Sequence, residues 1–243
     1  VLTADEGCLS LSRFYAFMDD MARLKAKVKE IIVITSGAVG LGAQRLGLKE
    51  MPDLVSIKQA CAAVGQCRLM KFYEDGFAAL GLTTAQVLLT EDDFSIRPRY
   101  LSLRDTLSRL LELGVVPIIN QNDTVSTNEL RAYKQNGVKV CFSDNDKLSA
   151  LVAGGLDADL LVILSDINGL YNADPRKDKN AKLITEVKQV TPEIEAAAGG
   201  ASKRGRGGMR TKLEAAKVAT QAGCSMVIAN SKNTPAFCRV FTD

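Results

Sequence analysis

Val115-Val116-Pro117-Ile118-Ile119-Asn120-Gln121-Asn122-Asp123 opens the stretch that decides the fold, and Ser143-Asp144-Asn145-Asp146-Lys147-Leu148-Ser149-Ala150 closes it. The first five residues form a short, continuous, β-branched apolar run, the pattern of a strand buried on both faces. Four side chains that hydrogen-bond and pack poorly in a core then stop it. The second cluster places Ser, Asp and Asn before Leu148-Ser149-Ala150-Leu151-Val152, where they cap the free N–H groups of a helix running from about Asp144 to Gly155. Two amide-and-carboxylate clusters at element ends are where open α/β sheets hold ligands. The same residues also serve simply as a turn and an N-cap.

Working outward, apolar spacing predicts helices over Ser10–Lys29, Ser56–Leu80, Phe94–Leu113 and Met209–Ala222, with Pro98 marking a start or a kink. Buried strands are expected at Glu30–Thr35, Ala85–Leu89, Asp159–Asp166 and Ser225–Ala229, with a shorter one over Ile184–Val190 followed by a Pro192 turn and a short helix. Ile167–Arg176 is turn-rich, and Gly199–Gly208 is a basic, glycine-rich loop opening the last helix. Arg97, Arg99, Arg104 and Arg109 read as a solvated face. Strands and helices alternate, so the fold class is α/β, an open, mostly parallel sheet covered by helices on both faces. A boundary near Gly154-Gly155 divides one domain into lobes 1–155 and 156–243.

The 243 residues are 47% hydrophobic and 24% charged, ordinary values for a globular chain. No apolar run approaches the roughly 18 residues of a membrane span. A net charge of +3 does not argue for nucleic acid or membrane surfaces. Six cysteines without a C-x-x-C pair fit thiols in a reducing, cytoplasmic compartment. The chain has no histidine, which excludes Ser-His hydrolases and histidine proton shuttles.

After the strand Glu30–Thr35 comes Ser36-Gly37-Ala38-Val39-Gly40-Leu41-Gly42. Small residues there let a ligand approach the backbone, and the following helix offers N–H groups to an anion. Tight packing explains the same glycines. Neither G-x-G-x-x-G nor G-x-x-x-x-G-K-[ST] occurs.

In order along the chain, Thr35-Ser36-Gly37-Ala38, Asn120-Gln121-Asn122-Asp123, Asp144-Asn145-Asp146 with Leu148-Ser149-Ala150, Leu164-Ser165-Asp166 with Gly169-Leu170-Tyr171, Ala173-Asp174-Pro175-Arg176, and Gly207-Gly208-Met209 with Thr211-Lys212 resemble the glutamate 5-kinases of the amino-acid kinase superfamily. The resemblance implies a three-layer α/β/α sandwich and ATP-dependent phosphorylation of the γ-carboxylate of L-glutamate, the first step of proline synthesis. It implies glutamate on Ser36, Asp123 and Asn145 in the N-terminal lobe. ATP falls to Ser165, Asp166, Tyr171 and the loop Arg206, Gly207, Gly208, Met209, Arg210, Thr211 and Lys212 in the C-terminal lobe. Lys212 would stabilise charge on the phosphoryl group, Asp146 would orient lysine side chains, and the Gly37 N–H would face the phosphate. Mg²⁺ is expected to ride on the nucleotide phosphates, with no protein metal site. Proline as feedback inhibitor, a homo-oligomer and hand-over of product to a γ-glutamyl phosphate reductase come with the same resemblance.

The residue chemistry agrees with it. A γ-carboxylate of pKa about 4.3 is already an ionised nucleophile at neutral pH, so no general base is required. What remains is to hold two anions in line and offset their repulsion. The family pattern leads one to expect, upstream of Val1, a strand ending in a second phosphate-binding lysine. It also has a shorter spacing than that between Asp123 and Asp144, which leaves the loop 129–142 without a role. Past Phe237 a further strand is expected, and no C-terminal RNA-binding-like domain is present in these residues. Rival readings are another superfamily kinase (for acetylglutamate, aspartate, carbamate or UMP), the kinase half of a pyrroline-5-carboxylate synthase, a catalytically dead ligand sensor, and an RGG-like nucleic-acid segment at Lys203–Gly208.

Overall fold

Three apolar runs that the sequence marks as strands lie side by side in parallel, which requires a crossover between each and the next in chain order. The computed structural model describes residues 10–28, 30–125, 145–173, 175, 178–197 and 208–231. In chain order its elements are α1 (Leu11–Lys25), β1 (Val33–Ile34), α2 (Ala38–Arg45), α3 (Val55–Ala78), β2 (Thr84–Leu89), α4 (Asp92–Ser95), α5 (Arg97–Glu112), β3 (Val116–Gln121), α6 (Asn145–Gly155), β4 (Leu160–Ser165), β5 (Leu170–Tyr171), β6 (Leu183–Ile184), α7 (Pro192–Ala197), α8 (Met209–Gln221) and β7 (Ser225–Asn230). The described residues fall into two compact units, one within Leu2–Phe142 and one within Ser143–Asp243.

In the first unit β3 is the central strand, with β1 on one side and β2 on the other, both parallel to it. Its residues Val116 to Asn120 are all buried, as a strand covered on both faces demands. From α1, Phe14, Met18, Met21 and Leu24 recur at helical spacing and are buried. Phe14 meets Tyr73 of α3 edge-on, with ring centroids 5.3 Å apart. Helices α2 and α3 pack backbone to backbone. A Cβ on Gly42 would lie 1.8 Å from the Cys61 carbonyl oxygen, and one on Gly65 would lie 1.8 Å from that of Ala38. Pro98 occupies the first turn of α5, where its missing N–H costs nothing, and extended Ile96 separates α4 from α5. The single expected helix Phe94–Leu113 is therefore two.

In the second unit β4 and β7 pair in parallel, register Leu160↔Ser225 to Ser165↔Asn230. Ala150, Ala153, Leu161, Ile163, Ala215, Ala219 and Cys224 form its core. The small side chains let α6 and α8 sit close. This packing assigns α6 to the unit that follows it, so the two compact units part ahead of Asn145 and not at the expected boundary near Gly155. The strand expected over Ile184–Val190 is limited to β6, which pairs antiparallel with β5. Of the six-residue run Glu30–Thr35 only Val33 and Ile34 pair as strand. Ordered pairing among the described residues is thus parallel in both larger sheets, an α/β arrangement. No described helix is long and apolar enough to cross a membrane.

Candidate active site

Parallel topology places the chemistry. In the first unit β1, β2 and β3 all end at one edge, which therefore carries Ser36-Gly37 after β1, Thr90 after β2 and Asn120 to Asp123 at the end of β3. Gly37 has φ +100 and caps the N-terminus of α2. An L side chain resists that conformation, which explains glycine here. Ser36 and Gly37 are exposed. Thr35 donates its backbone N–H to the Ile119 carbonyl at 2.9 Å, and its Oγ1 accepts the buried Tyr73 hydroxyl at 2.9 Å. At the end of β3, Asn120 is buried. Its Nδ2 donates to Gln66 Oε1 at 2.8 Å, and its Oδ1 accepts the Gln121 N–H at 2.9 Å. Beyond it, Asn122 N–H bonds the Leu89 carbonyl, and the Thr124 hydroxyl bonds Asn122 Oδ1. Half-buried Asp123 stands in this turn. The opposite corner is braced by Asp93, whose Oδ2 accepts both the N–H (2.7 Å) and hydroxyl (2.8 Å) of Thr90.

In the second unit α6 runs into β4 and α8 into β7, so both helix N-termini lie at the edge where β4 ends in Ser165 and β7 in Asn230. Lys212, in the first turn of α8, donates to Asp146 Oδ2 at 2.9 Å, and Thr211 donates to the same oxygen at 3.1 Å. The Lys212 and Asp146 side chains are only 11% and 13% exposed. Asp146 sits in the first turn of α6, where a carboxylate is favoured by the helix dipole. Lys212 at a helix N-terminus is opposed by that field, and Asp146 compensates. Ser165 is buried, with its Oγ 3.4 Å from Asp166 Oδ1. Asn230 Nδ2 donates to Asn168 Oδ1 at 2.8 Å. This edge offers two sets of helix N–H groups and one screened cation, a donor set for phosphates.

Of the residues expected from sequence, Ser36, Gly37 and Asp123 thus share one edge, while Asn145, Asp146, Ser165, Asp166, Tyr171, Gly208, Met209, Thr211 and Lys212 belong to the second unit. Exposed Arg210 pairs with Glu214 at 3.1 Å on the α8 surface. Arg206 and Gly207 lie outside the described residues, as do Asp144, Asp174, Arg176 and the loop 129–142. Among the described residues no group of three or more His, Cys, Asp or Glu side chains could hold a metal ion. Sequence reasoning passed over Gln66 and Tyr73. Their only signal was seven-residue spacing on one helix, which places both on the same face.

A model described as the amino acid kinase family matches residues 1–230. The chain belongs to the amino acid kinase family. Among its relatives within that family, proteins named glutamate 5-kinase from Methanosarcina mazei and Gloeobacter violaceus are each 50% identical to it, over 221 and 229 residues. Those alignments cover 89% and 94% of the chain, but 55% and 59% of the relatives. A third, from Myxococcus xanthus, is 50% identical over 228 residues, 93% of the chain and 58% of the relative. This amino acid kinase chain thus spans little more than half the length of the curated relatives it matches. Among solved structures, a product complex of T. acidophilum isopentenyl phosphate kinase superposes with TM-score 0.61 at 17% identity, covering 96% of this chain and 88% of that one. Carbamate kinase from Giardia lamblia bound to AMP-PNP gives 0.61 at 17% identity, covering 95% and 86%. At such identity these neighbours establish the fold alone.

Proposed function

We propose that the chain transfers the γ-phosphoryl group of ATP to the γ-carboxylate of L-glutamate, giving γ-glutamyl phosphate, the first step of proline synthesis. The observation that carries this reading is about 50% identity with several glutamate 5-kinases across roughly nine-tenths of the chain. The site chemistry supports it. The acceptor carboxylate is ionised at neutral pH and attacks without a general base, so a chain with no histidine lacks nothing the reaction requires. Catalysis then consists of alignment and charge compensation.

Ser36 and Asp123, at the strand-end edge of the first unit, together with Asn145, bind the amino acid. The Asp123 carboxylate is suited to its α-ammonium group. The Gly37 N–H, at the start of α2, faces the transferred phosphoryl group. Ser165, Asp166, Tyr171 and residues 206–212 hold the nucleotide. Lys212 neutralises charge that develops on the phosphoryl oxygens, and Asp146 is the residue that positions it. Mg²⁺ would be carried mainly on the nucleotide phosphates, as it commonly is in phosphoryl transfer. Bound there it would offset phosphate charge. The same reading extends to a cytoplasmic enzyme of several copies, inhibited by proline and passing its hydrolysis-prone acyl phosphate to a γ-glutamyl phosphate reductase. Cys61, Cys67 and Cys224, all free thiols, support a reducing compartment.

Trapping with hydroxylamine tests the reading: glutamate, ATP and Mg²⁺ together should give γ-glutamyl hydroxamate. A much better response with aspartate or acetylglutamate would overturn the substrate assignment.

A further inference from the structure

Asn120 is the last buried residue of β3, and both ends of its carboxamide are engaged. Alternation along a parallel strand turns the N–H of Ile119 and of Gln121 toward β1 and that of Asn120 toward β2. Register with β1 stops at Ile34↔Ile119, because the chain there departs into the Ser36-Gly37 turn. The Gln121 N–H faces the side β1 has left, and Asn120 Oδ1 accepts it at 2.9 Å. A carboxamide can do this only with its oxygen turned toward the backbone. Gln66 Oε1, 2.8 Å from Asn120 Nδ2, selects that orientation.

Gln66 is held at a cost. It is 7% exposed, and its Nε2 is buried and meets no hydrogen-bond partner among the described residues. Leaving such a donor unmet is unfavourable, and an apolar side chain of the same length would avoid it. The helix that carries it is fixed on this edge in two further ways. Gly65 packs directly on the α2 backbone, and Tyr73, two turns along, bonds Thr35 at the end of β1. The Gln66 amide therefore has its effect on the strand end beside Asn122 and Asp123, and packing alone does not account for it.

We infer that Gln66 is a positioning residue for the amino-acid acceptor: by fixing the Asn120 carboxamide it sets the backbone course from β3 into the Asn122-Asp123 turn. The inference rests on the glutamate kinase reading above. Gln66→Met matches the length, removes the acceptor, and exchanges one unmet N–H (Gln66 Nε2) for another (Asn120 Nδ2). Its melting temperature should stay within about 3 °C of the unaltered chain. Its glutamate KM should rise about tenfold, with ATP KM within about twofold. Gln66→Glu, which keeps an oxygen for Asn120 and drops the unused N–H, should hold glutamate KM within about threefold. An unchanged glutamate KM in Gln66→Met overturns the inference. So does an equal rise in Gln66→Glu, or a parallel rise in both KM values with a lowered melting temperature. If Gln66→Met does not fold, Gln66→Glu alone decides by whether glutamate KM is kept. A different failure, no glutamate-dependent hydroxamate from the unaltered chain, overturns the function reading itself and the inference with it.

Discussion

Lys212 is a cation at the positive end of a helix, screened from water and held by one carboxylate oxygen that also accepts Thr211. On the proposed reaction, the charge that develops on the transferring phosphoryl group is what such a cation would meet in the transition state. Lys212→Ala should lower kcat by about 10²–10³ while glutamate affinity is largely kept; single-turnover and equilibrium binding measurements separate the two. Asp123→Ala should behave in the opposite manner, raising glutamate KM with ATP KM little changed, because an ammonium partner acts in ground and transition states alike. Tyr73 gives a prediction about pH. Burial pushes its phenol up to about 12, with the Thr35 hydrogen bond a smaller, opposing influence. The unfolded chain loses that proton from about pH 10, while the folded one keeps it until about 12. The contribution is therefore fully present below pH 10 and is lost as pH rises toward 12, about 2–3 kcal/mol over the window. Tyr73→Phe should remove this part of the alkaline destabilisation, measured as the difference in urea midpoint between the two chains at pH 9 and pH 11.

At the scale of elements, the seam between α2 and α3 is the most demanding contact. A methyl group at Gly42 or Gly65 would meet a backbone carbonyl at 1.8 Å, and no side chain is there to yield. Gly65→Ala should cost at least about 3 kcal/mol, or prevent folding, as read from urea denaturation. Periodicity made the long elements legible: α3 and α8 each begin and end within two residues of the apolar pattern's limits. It misjudged the short ones. An apolar run such as Glu30–Thr35 records burial, whereas strand pairing also needs a neighbour in register, and β3 supplies one to Val33 and Ile34 only. In Phe94–Leu113 the apolar spacing continues through Ile96, whose extended backbone breaks the helix. The strand ends themselves were legible, because polar residues such as Asn120 to Asp123 stop a buried apolar run whether they hold a ligand or only make a turn. The Asp146–Lys212 pair followed from family resemblance and not from spacing, since a separation of 66 positions carries no periodic signal. Gln66 and Tyr73 were illegible for a different reason. A helical pattern tells which face is buried, but not that a polar atom on that face reaches a strand end.

For the molecule as a whole, the two compact units predict two separable responses to ligand. Glutamate alone should slow amide exchange most around 33–36 and 116–123, with Asn145, and an ATP analogue alone most around 146–166 and 208–221, with Gly37, measured by mass spectrometry on the unaltered chain. Uniform protection by either ligand would contradict that assignment. Within the first unit the α2–α3 seam has a mechanical meaning. Where two main chains touch, sliding one past the other is blocked by atoms that have no rotamer to change, so α2 and α3 shift together or not at all. The Gly37 N-cap rides on one of them, and Gln66 and Tyr73 ride on the other. The strand-end edge of the first unit is then a stiff anvil, and any displacement there carries Gly37, Gln66 and Tyr73 together.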